Sequence, residues 1–93
     1  MFRPKQERKL DKEFFTVSLM IVMRRPKVDF DGHAETLRGL RVAVGEDRYF
    51  ELLTKHCQDK YRLWSDEGID AAALEQALVN YCTSLDWLDT SMG

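Results

Sequence analysis

At 93 residues and 10.9 kDa the chain has the length of one domain, large enough for a single modest core. Hydrophobic residues at 44%, charged residues at 32% and a net charge of −2 exclude collagen-like, low-complexity and wholly disordered classes. The charge is unevenly spread: residues 1–45 hold ten Lys/Arg against six Asp/Glu, and residues 46–93 hold four against ten.

The first element spans about residues 6–24. Leu10, Phe14, Val17 and Ile21 recur at steps of 4, 3 and 4, the spacing of one helical stripe. Pro26 is expected to stop the helix, because the residue before a proline avoids the helical region. Residues 14–23 also alternate, with Thr16 and Ser18 in polar positions, and Lys27 to Asp31 alternates again. That leaves a second reading open, an α+β domain with a β-hairpin over 14–31 packed on two or three helices. No third strand is visible to support such a hairpin, so the helix is favoured. The near-apolar run Phe14 to Met23 is ten residues long, about half of what a bilayer span needs. Glu7, Asp11 and Glu13 precede it, which is unlike a secretory leader.

A shorter helix is predicted over 33–44, with Leu37, Leu40 and Val44 inward, Asp31 as its cap and Gly45 as its end. Gly39 inside it costs about 1 kcal/mol relative to alanine, and a close approach of another helix would explain it. The third helix is predicted over 47–64, with a stripe of Phe50, Leu53, Cys57, Tyr61 and Trp64. Ser65 to Gly68 ends it. The fourth is predicted over 70–89, with Asp70 as N-cap and Leu74, Leu78, Tyr81, Leu85 and Leu88 inward. The last two helices should pack antiparallel, with Trp64 and Trp87 at opposite ends of the seam. The fold class is therefore all-α, a small four-helix bundle-like domain over residues 1–93, with 1–8 as a candidate flexible basic tail.

Motifs for chemistry are missing. His33, His56, Cys57 and Cys82 are the candidate metal ligands, but CxxC, HxxxH and HExxH are all absent. The glycines form no phosphate-cradling loop, no reactive-cysteine or serine-elbow signature occurs, and the stretch from Asp29 fails the EF-hand pattern. No catalysis, metal or cofactor is expected. Two cysteines are too few for a disulfide scaffold, so both are read as reduced thiols in a cytoplasmic protein.

What remains is the greasy first helix. Apolar residues around most of its circumference exceed what three short helices can cover, and an uncovered strip marks an interface. The expected function is a non-enzymatic protein–protein interaction module that self-associates. Phe14, Phe15, Met20 and Met23 would dock, and Arg24, Arg25 and Lys27 would steer toward an acidic patch such as the Asp86/Asp89 end of a neighbouring copy. The alternative partner is nucleic acid, bound through the basic N-terminal half, although a pI near 5.6 is low for that role.

Overall fold

The computed structural model describes residues 4–84. They form four α-helices: α1 (Pro4–Val22), α2 (Lys27–Val44), α3 (Glu46–Asp66) and α4 (Ala71–Ser84). The domain is an all-α bundle, and no strand occurs among the described residues.

α1 opens on Pro4, where a missing N–H costs nothing in the first turn. Leu10, Phe14 and Val17 are fully buried, and Ile21 packs against the same core. The hairpin reading of 14–31 is overturned. Ser18, which made the segment look two-faced, is buried in the helix with its hydroxyl donating to the Phe14 carbonyl at 2.8 Å. A polar residue that satisfies itself on the preceding turn gives no evidence for a strand.

α2 starts six residues before the predicted position. Pro26, with φ −68° and ψ 156°, stands at its N-cap, and Asp31 lies on the exposed surface within the helix instead of capping it. Phe30, Ala34, Leu37 and Leu40 form the buried stripe, at steps of 4, 3 and 3. The apparent alternation at 27–31 misread Phe30, which is in helical register with Leu37, while Val28 faces outward. Gly39 faces open space, so it seats no neighbouring helix.

Gly45 alone links α2 to α3. Its φ of 94° and ψ of 147° suit glycine, and its N–H closes α2 on the Arg41 carbonyl at 3.0 Å. α3 buries Tyr49, Leu53, His56, Cys57 and Trp64, a stripe turned slightly from the predicted one. Phe50 is half-buried and Tyr61 exposed. α4 is capped as expected: the Asp70 carboxylate accepts from the Ala73 N–H at 3.1 Å. Leu85, Trp87, Leu88 and the Asp86/Asp89 pair lie outside the described residues.

α1 and α3 each pack against all three of the other helices. Two buried hydroxyls lace the layers together. Tyr49 Oη donates to the Cys82 carbonyl at 2.7 Å, and Tyr81 Oη to the Phe30 carbonyl at 2.8 Å. Burial pushes both phenols above their ordinary range.

The α1–α2 and α3–α4 turns use the same closing motif. Arg24 N–H donates to the Ile21 carbonyl and Arg25 N–H to the Met20 carbonyl. Gly68 N–H and Ile69 N–H do the same to Ser65 and Trp64. The left-handed residue is Gly68 in one turn (φ 81°) and Arg24 in the other (φ 56°). Such a backbone costs a side chain about 1–2 kcal/mol. Arg24→Gly is therefore expected to stabilise the fold by about 1 kcal/mol, and Gly68→Ala to destabilise it by about the same amount. Urea denaturation of both variants checks the opposite signs.

Candidate functional site

Three contacts set the direction of the two helices that matter most. Arg48 pairs with Glu7 at 2.9 Å, His56 with Asp11 at 2.8 Å, and the Lys60 ammonium sits 5.5 Å from the Phe15 ring centre. The residue numbers rise together, so α1 and α3 run parallel. α2 returns antiparallel to α1, as the 2.7 Å contact of His33 with Glu13 shows. The α1–α2 and α3–α4 turns thus share one end of the molecule.

The predicted docking residues separate. Phe14 is 0% exposed, its ring 5.7 Å from both Tyr49 and His56, and it belongs to the core rather than to a surface. Met20 is half-buried against that core. Met23 is 63% exposed at the end of α1, followed by exposed Arg24, Arg25 and Lys27. The Arg25 guanidinium is held by Asp29 at 2.8 Å. Phe15 is half-buried and lines a groove further along the helix.

The sequence reading missed Leu19 and Val22, which are 45% and 40% exposed. Together with Phe15 they lie at steps of 4 and 3, a second stripe beside the buried one. The signal was present, because the Leu10–Phe14–Val17–Ile21 stripe already assigns Phe14 inward. On α3, Leu63 lies one turn beyond Lys60 and is also exposed. The apolar surface therefore runs from Phe15 to the shared end of the bundle. At that end stand the basic turn of Arg24 and Arg25 and the exposed acidic residues Asp66, Glu67 and Asp70.

The groove between α1 and α3 has a volume of about 650 Å³. The half-buried Phe15 and Leu52 form its floor, and Arg8, Lys12, Lys55 and Lys60 surround it. Two of its carboxylates are already engaged. Arg48 grips Glu7 through both oxygens, and this hydrogen bonding holds the Glu7 carboxyl below the usual range. Asp11 accepts from His56 Nδ1, because an ionised carboxylate can only accept. His56 Nε2 is buried with no hydrogen-bond partner among the described residues.

The thiols belong to the interior. Burial pushes Cys57 up to about 11, with Glu75 adding to the effect. Burial raises Cys82 as well, and the neighbouring Cys57 adds to it. Both are free and buried, and they pack as small apolar side chains. Among the described residues no group of three or more His, Cys, Asp or Glu is placed to hold a metal ion. Among the same residues no helix is long and apolar enough to cross a membrane. Comparison with protein-family models, with curated proteins and with solved structures finds no match for this chain.

Proposed function

We propose that this chain is a small helical docking module that pairs with a second copy of itself through the end of the bundle where α1 meets α2. One observation carries the reading: Leu19 and Val22 at the end of α1 and Met23 just beyond it are all exposed, although this helix contacts all three of its neighbours. On α3, Leu63 is exposed one turn past Lys60, the residue that meets Phe15 of α1.

Charge supports a second copy as the occupant. A two-fold contact sets one surface patch against itself, so that patch must be self-complementary. The basic Arg24–Arg25 turn and the acidic Asp66–Glu67 turn share this end, and a two-fold axis between apolar centres brings each basic turn toward the partner's acidic one. Arg24 strengthens the case. Its left-handed backbone favours glycine, yet the position holds a long cation whose gain lies outside local stability. The patch rests on four partly exposed side chains, far fewer than a stable interface uses, so the pair is weak and reversible.

Sedimentation velocity over a concentration series tests this. The parent should shift from monomer to dimer, with a dissociation constant of about 10–100 μM at low salt. Met23→Asp should weaken that association at least tenfold while leaving the circular dichroism spectrum unchanged, because Met23 is exposed. A chain that stays monomeric to about 1 mM overturns the proposal.

A further inference from the structure

We infer that the groove between α1 and α3 receives a short acidic amphipathic segment of a partner protein, at a site separate from the self-pairing end. The groove spans Glu7 to Phe15 on α1 and Leu52 to Lys60 on α3. Eight residues of rise on each wall give a length of about 12 Å, which matches two turns of helix.

The charge inside the groove runs against that of the whole molecule. The chain is net −2, yet Arg8, Lys12, Lys55 and Lys60 all line this one site. Glu7 is paired with Arg48, so Asp11, which is hydrogen-bonded to His56, and Asp59 are the carboxylates left to offset four cations, and the cations outnumber them two to one. Among the described residues Arg8, Lys12 and Lys55 form no ion pair. Lys60 lies over the Phe15 ring. Its flexible stem can swing aside, uncovering an aromatic floor and adding a cation to the rim.

An apolar floor with a cationic rim fits one kind of ligand: a helix whose apolar stripe enters the groove while glutamates or aspartates on its flanks meet the lysines. The floor is also short. A nucleic-acid backbone would use the rim alone and leave Phe15 and Leu52 without a role.

The test uses the full chain labelled with nitrogen-15 and a capped peptide that repeats Leu-Leu-Glu-Glu over about three helical turns. Its twin carries glutamine at every glutamate. The acidic peptide should shift the backbone amide resonances of Phe15, Leu52 and Lys55. Its affinity should fall at least tenfold between about 20 and 200 mM salt. The twin should bind at least tenfold more weakly, and so should the acidic peptide to the Lys12→Glu/Lys55→Glu protein. Both lysines are exposed, so that variant keeps its fold, which circular dichroism verifies. Met23→Asp should leave peptide binding unchanged, which keeps this result distinct from the failure of self-pairing. Four outcomes overturn the inference: no shifts at millimolar peptide, equal binding by the twin, equal binding by the double variant, or displacement of the peptide by a lower concentration of a single-stranded oligonucleotide.

Discussion

Phe14→Ala is expected to cost about 3–5 kcal/mol, whereas Phe15→Ala, one residue on, costs about 1 kcal/mol or less. Phe14 is completely enclosed and touches rings from two levels of α3, Tyr49 and His56. Its removal leaves a cavity at the point where α1 meets α3, the longest of the four helices. A domain of this size has only about 5–10 kcal/mol in hand, so the variant should lose most of its stability. Phe15 is half-buried beside an open groove, so truncating it creates no sealed void. Urea denaturation of the two variants measures the contrast. Equal losses would contradict the assignment of one ring to the core and the other to the surface.

The second large effect concerns the His56–Asp11 pair. The imidazole is fully buried while its carboxylate partner is 61% exposed. Among the described residues Asp11 is the partner that Nδ1 loses in Asp11→Ala, and Nε2 already has none there. A buried ring with neither nitrogen satisfied should cost about 1–3 kcal/mol. Adding His56→Phe to Asp11→Ala should recover most of that loss. A phenyl ring of similar size keeps the tilted ring contacts with Phe14 and Trp64 and carries no polar atom to desolvate. Denaturation of the two single variants and the double variant completes the cycle. If the double variant is less stable than Asp11→Ala alone, the penalty does not come from unpaired nitrogens.

These two predictions mark where a linear reading reaches its limit. Phe14 and Phe15 are the same amino acid side by side, and the apolar run around them reads as greasy on every face. Their fates differ because three helices cover one part of the α1 circumference and leave another. The stripe of Leu10, Phe14, Val17 and Ile21 contains that information, but using it requires deciding first that the segment is a helix. His56 and Asp11 are 45 residues apart, and no local pattern links them. The groove is equally hidden, since its walls come from two helices whose parallel course follows from how α2 returns.

The α2 start illustrates a different limit. Lys27 to Asp31 alternates like a strand, and Pro26 was read only as a stop for α1. Proline also begins helices well, since its backbone angle is preset and a first-turn N–H has no partner to lose. Once α1 and α2 pack antiparallel, Phe30 falls on the inner face and the helix extends back to the proline.

Read from the chain alone, the two C-terminal helices, the Asp70 cap, the breaks at Gly45 and Gly68 and the inward positions of Leu53, Cys57, Trp64, Leu74, Leu78 and Tyr81 were already determined. Each depends on residues within one or two turns, where the helical period and the demands of unpaired backbone groups act directly. Only the tertiary structure decided between helix and hairpin at 14–31, chose which phenylalanine to bury, and brought a buried histidine to its carboxylate and four cations around one groove. Those outcomes depend on how neighbouring helices divide each other's surface, a competition among distant segments that no short stretch of sequence records.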